Sequence, residues 1–139
     1  MRFITRVVLG LAAGAVPLCA LTIATASEFE QFRTPSGNIG CAYSDAHLRC
    51  DIRSRLVPPP PEPKGCDLDW GGGYGLHTTG HAYVICAGDT AIDPHSRVIP
   101  YGATWHRGAY RCASKLEGLR CTNASAHGFF LSKDPSYTF

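Results

Sequence analysis

Six cysteines between Cys41 and Cys121 constrain this 139-residue chain more than any other feature. The intervening stretches are 8, 15, 19, 25 and 8 residues long. None of them is the C-x2-C pair that zinc sites usually show, so the pattern reads as a disulfide framework rather than a metal centre. Such bridges persist in oxidising surroundings, outside the cytosol. In a short chain they stand in for core volume.

The seventh cysteine, Cys19, lies in a different kind of segment. Arg2 and Arg6 are the only charges before Glu28, and Val7 to Ala26 is almost wholly apolar. Ala24-Thr25-Ala26 is a small-x-small site, which predicts a cleavable signal peptide over residues 1–26. The alternative is a retained membrane anchor, since the run approaches the ~20 residues a span needs. Gly10, Gly14 and Pro17 weaken that helix. No Arg-Arg pair marks a twin-arginine signal, and Leu18 stands where lipoprotein processing wants a small residue.

Cleavage would leave residues 27–139 as a single secreted β-rich domain. Thirteen Lys+Arg, less Arg2 and Arg6, become eleven against eleven Asp+Glu. A net charge of zero argues against nucleic acid, which demands a basic surface. It argues equally against a membrane partner once the signal peptide is gone.

An internal repeat narrows the disulfide pairing. Gly37 to Cys50 aligns with Gly108 to Cys121 at a constant offset, keeping Gly, Cys, Ala and Leu-Arg-Cys in register. Each copy is two β-prone runs around a polar centre, the layout of a hairpin closed by C-x8-C. A two-residue loop would set its cysteines opposite each other in a non-hydrogen-bonded pair, within bridging distance. A bulge at Gly118 would shift that register. The repeat predicts Cys41–Cys50 and Cys112–Cys121, leaving Cys66–Cys86; bridges crossing between the copies are the alternative.

No stretch of the predicted mature chain sustains a helical apolar period, and Gly and Pro interrupt every long run. Strands are expected near Asn38–Tyr43, His47–Arg53, Leu76–Ala87, Thr104–Cys112, Leu119–Thr122, Gly128–Ser132 and Tyr137–Phe139. The third would place His77, Thr79, His81, Tyr83 and Ile85 on one face. Trp70 to Gly75 reads as a flexible aromatic loop. The proline-rich segment 58–63 reads as an extended connector, with a ligand for an aromatic groove as the alternative. The expected fold is all-β: a small disulfide-stapled sandwich or open barrel of six to eight short antiparallel strands. Trp70, Tyr74, Tyr101, Trp105, Tyr110, Phe129 and Phe130 are its expected core aromatics.

Phe32-Arg33-Thr34-Pro35-Ser36-Gly37-Asn38-Ile39-Gly40-Cys41 resembles the opening signature of an uncharacterised family of small exported actinobacterial proteins. Leu48 to Ile52, Cys86 to Thr90, Pro100-Tyr101-Gly102 and His127 to Ser132 resemble its later blocks. The resemblance implies a secreted single domain with its cysteines paired, and brings no activity, cofactor or catalytic residue.

Candidate chemistry is sparse. His77 and His81 lack the helical H-E-x-x-H context of zinc proteases. Asp67, Asp69, Asp89 and Asp93 offer oxygen ligands for calcium, but equally serve as turn residues. Ser96 or Ser132 with His127 and Asp89 would assemble a hydrolytic triad, without the nucleophile elbow of the common hydrolases. His127 is the first of these to mutate. No metal or cofactor is expected, and the catalytic residues, if any, are unknown. Cys41, Cys50, Cys66, Cys86, Cys112 and Cys121 are structural. The leading expectation is a non-enzymatic extracellular binding domain for a cell-surface protein or glycan. A small secreted hydrolase is the alternative. A protease inhibitor using Pro58–Lys64 comes third.

Overall fold

The computed structural model describes residues 28–139; the predicted signal peptide lies outside them. Eleven strands and no helix make up the described residues. They are β1 (Glu30–Arg33), β2 (Ile39–Ser44), β3 (His47–Ile52), β4 (Trp70–Leu76), β5 (Tyr83–Cys86), β6 (Arg97–Val98), β7 (Thr104–Arg107), β8 (Tyr110–Lys115), β9 (Gly118–Thr122), β10 (Gly128–Leu131) and β11 (Tyr137–Thr138). The sheets are open, ordered β5-β4-β3-β2-β1-β6 and β11-β10-β9-β8-β7. Apart from β6, each is an antiparallel meander, so the repeat seen as one hairpin extends over five strands. β6 pairs in parallel with β1, against the all-antiparallel expectation.

The cysteine pairs sit where the repeat puts them. Cys41 faces Cys50 and Cys112 faces Cys121 in register, with Cα atoms 4.1 Å apart in both bridges. That is the close spacing of a non-hydrogen-bonded pair. Both loops contain two residues, Asp45-Ala46 and Leu116-Glu117, and Gly118 continues the ladder without a bulge. Asp45 and Ala46 have φ of 48° and 57°, the left-handed pair that matches strand twist in a tight hairpin. Cys66–Cys86 is the third bridge.

Each central bridge lies between two aromatics. Phe32 pairs with Cys41 and Tyr74 with Cys50; Trp105 pairs with Cys112 and Phe129 with Cys121. The two rows face each other: Phe32 stacks on Trp105 at 4.6 Å, and Tyr74 meets Phe129 at 5.6 Å. All eight side chains are buried. The architecture is thus a sandwich whose core is one motif used twice. Phe32 and Tyr43 join the core, whereas Tyr101 is exposed and Trp70 and Phe130 are half-buried.

Polar contacts tie the sheets together. The Glu30 carboxylate on β1 accepts from Trp105 Nε1 at 2.9 Å and Arg107 Nη1 at 3.2 Å on β7. The buried Tyr110 hydroxyl of β8 is shared between the Ala46 and Leu76 carbonyls of the other sheet. Burial, then Tyr43 and Tyr83, push its ionisation up to about 12. A free phenol ionises near pH 10, so the unfolded chain loses this proton first. Stability is intact below pH 10 and falls as pH rises through about 12. Tyr110→Phe should cost about 1–2 kcal/mol at neutral pH by stranding buried carbonyls. It should also flatten the alkaline decline, read as urea midpoints at stepped pH.

Three expectations need correction. Leu76–Ala87 is not one strand: residues 77–82 form a loop around Gly80 (φ 82°), so His77 and His81 do not share a strand face. Thr104–Cys112 breaks at Gly108 (φ 52°) into β7 and β8. Trp70 to Gly75 is not a flexible loop but β4, paired on both sides. Gly73 and Gly75 serve close approach rather than mobility. A Cβ on Gly75 would lie 2.4 Å from the Tyr83 ring.

The proline-rich segment folds back on the same molecule. Trp70 Nε1 donates to the Pro60 carbonyl at 3.1 Å, and the Cys66–Cys86 bridge holds the far end. Trp70 thus gives the segment an aromatic partner within the same molecule.

Candidate functional site

Strand alternation that sends Leu48, Cys50, Tyr74 and Leu76 inward turns His47, Arg49 and Asp51 of β3 to the outer face of the six-stranded sheet. Tyr83 of β5 pairs with Gly75 and lies over its bare backbone on that face. Between these residues runs a shallow groove of about 550 Å³, lined by Ala42, Ser44, His47, Arg49, Tyr83 and Ile85 among others. A second hollow of about 340 Å³ continues past Arg49 toward Arg53, Arg55 and Asp69.

Arg49 organises the floor. Its Nε and Nη2 donate to the Asp51 carboxylate at 3.0 and 2.7 Å, and Nη1 donates to Asp89 at 2.7 Å. Asp51, 4% exposed, also accepts the Ala91 amide at 2.8 Å. The network clamps the chain after β5 onto the sheet. Burial opposes the Arg49 charge, but the bonds to Asp51 and Asp89 outweigh it and raise its ionisation. The same contacts lower exposed Asp89. Asp51→Ala would leave a half-buried guanidinium and an unpaired amide. It should cost about 3 kcal/mol, toward the low end for breaking a buried pair because Asp89 remains. Urea unfolding of the variant measures it.

At the groove's other end, His47 Nε2 and the Tyr83 hydroxyl are hydrogen-bonded. The His77 ring lies 5.0 Å from that of His47 and 5.3 Å from that of Tyr83. Burial lowers the His47 ionisation, with His77 and Arg49 adding repulsion. Burial raises Tyr83, partly offset by Arg49. Both shifts favour the uncharged forms.

The residues singled out in the sequence do not assemble. His77 joins His47 and Tyr83, while His81 packs on His127 at 3.7 Å. Asp89 is held by Arg49. Asp93 Oδ1 accepts the His95 amide, as a turn residue does, and Ser96 Oγ donates to the Asp93 carbonyl. Ser132 is engaged through its backbone by Ser136. The proposed Ser-His-Asp members therefore have separate partners in separate places. Asp67 is exposed, and Asp69 lines the second hollow. Among the described residues, no three of His, Cys, Asp or Glu gather as metal ligands would.

A family model described as a family of unknown function (DUF6636) matches residues 12–139. The chain belongs to DUF6636. No curated protein and no solved structure matched it. Within this DUF6636 chain, sequence reasoning missed His47, Arg49 and Tyr83 as a group. Alternation along β3 puts two of them, His47 and Arg49, on one face, but Tyr83 joins them only through the β4–β5 register.

Proposed function

We propose that the protein is a non-enzymatic binding module, exported as one domain, that takes a cell-surface glycan or protein on the outer face of its six-stranded sheet. One observation carries this reading. His47, Arg49 and Tyr83, three groups with displaced ionisation, line one shallow groove, and Asp89, a fourth, is paired with Arg49 beside it. Groups perturbed by burial and by specific charge partners, gathered at one hollow, are the physical mark of a functional-site candidate. A shallow floor with an exposed tyrosine and fixed polar groups suits an extended ligand better than an enclosed substrate. Three disulfides fit an oxidising compartment, and the predicted leader supports export.

The hydrolase alternative gains no nucleophile from this arrangement. For the inhibitor alternative, Cys66 N–H donates to the Pro63 carbonyl at 3.5 Å, placing Lys64 and Gly65 in a turn. An inhibitor loop needs extended backbone there.

The test uses oxidised, leader-free protein incubated with cell-wall polysaccharide and envelope-protein fractions. Ala42→Trp fills the groove without removing a polar group, and Arg111→Ala alters the outer face of the other sheet. Binding to one fraction should fall at least about tenfold in Ala42→Trp and persist in Arg111→Ala. Equal binding by wild type and Ala42→Trp, or no binding to either fraction, would refute the reading.

A further inference from the structure

The cluster at the end of the groove combines three donors from neighbouring strands. His47 opens β3, His77 follows β4 one residue past the Leu48–Leu76 pair, and Tyr83 opens β5. We propose that His47, His77 and Tyr83 form a site for a divalent late transition-metal ion, with Cu2+ held more tightly than Zn2+. This goes beyond the ligand-groove reading and stands without it.

Ring spacing is the first support. With metal–nitrogen bonds of about 2.0–2.1 Å, two imidazoles in adjacent positions on one ion keep their ring centres about 4.5–5 Å apart, the shorter value for tetragonal and the longer for tetrahedral coordination. His47 and His77 stand at 5.0 Å. The other histidine pair, His81 and His127, is too close at 3.7 Å and packs ring on ring instead.

Donor chemistry is the second support. Imidazole suits copper and zinc, and affinity among divalent ions peaks at Cu2+. The hydrogen bond between Tyr83 and His47 already aims a phenol oxygen and an imidazole nitrogen at one point. On binding, the His47 lone pair turns from the Tyr83 O–H to the ion. Tyr83 then coordinates as phenolate and its proton leaves to solvent. Open positions remain for water or a donor from a ligand in the adjoining groove. Local charge permits a dication: Arg49 is the nearby cation, and Asp51 and Asp89 together outweigh it.

Isothermal titration of the oxidised protein with Cu2+ and with Zn2+ tests the site, without any groove ligand. One equivalent of Cu2+ should bind, and His47→Ala and His77→Ala should each raise its Kd about tenfold or more. Tyr83→Phe should abolish a visible phenolate-to-copper charge-transfer band while retaining weaker binding. His81→Ala should change nothing. Circular dichroism of each variant confirms that it remains folded. Absence of Cu2+ binding would overturn the assignment. So would wild-type affinity in folded His47→Ala and His77→Ala, or a loss equally large in His81→Ala.

Discussion

Reduction of all three disulfides should unfold the protein or leave it barely folded. The bridges span 9, 20 and 9 residues, which corresponds to about 2.5–3.5 kcal/mol each by loop-closure entropy. Together they supply ~8–10 kcal/mol if additive, comparable with the ~5–15 kcal/mol net stability of a whole domain. Cys41, Cys50, Cys112 and Cys121 have no exposed surface. Replacing either central pair by Ala should therefore lose packing as well as cross-linking. The Cys66–Cys86 pair is different, since it anchors an exposed segment. Its replacement should release the proline segment from Trp70 and spare the paired aromatic rows. Thermal melts of the oxidised and reduced protein check the total. An unchanged melt in reductant would mean that the apolar core suffices alone.

Trp105→Ala should be the most damaging single replacement in the core, at about 4–5 kcal/mol. Trp105 is 3% exposed, stacks on Phe32, touches Tyr43 and donates to Glu30. Truncation opens a cavity between the sheets and removes the partner of a carboxylate that also holds Arg107. Leu116→Ala at the second hairpin tip, 78% exposed, should stay within about 0.5 kcal/mol of wild type. Urea unfolding separates the two. A Trp105→Ala cost below about 1 kcal/mol would show that the stacked aromatics do not join the sheets energetically.

Legibility in the sequence followed the range of the interactions. Both central bridges were readable because they close local hairpins, and the offset between Leu48-Arg49-Cys50 and Leu119-Arg120-Cys121 preserves that geometry. The third followed by elimination. Strand β4 was not readable, since Trp70 to Gly75 has the composition of a loop. What Gly75 provides is room for the Tyr83 ring, a neighbour known only from the fold. The aromatic rows were largely visible: Tyr74, Trp105 and Phe129 are expected core aromatics and only Phe32 is not, but pairing Phe32 with Trp105 and Tyr74 with Phe129 required the sandwich itself.

The outer-face site was illegible for the same reason. His47, His77 and Tyr83 lie far apart in the chain and meet only through the β3–β4–β5 register. Sequence spacing favoured His77 with His81 because they are four residues apart. The loop over residues 77–82 separates them and gives each another partner. Asp89 stands in the sequence as a possible calcium ligand or triad member. Its role in the fold is to complete the Arg49 clamp.

Non-reducing peptide mapping of protein isolated from its native source is the most direct check on the twin-meander architecture. Three cross-linked peptides should appear, joining Cys41 to Cys50, Cys66 to Cys86 and Cys112 to Cys121. A bridge between either of the first hairpin's cysteines and either of the second's would contradict the account, as would free thiols at these positions.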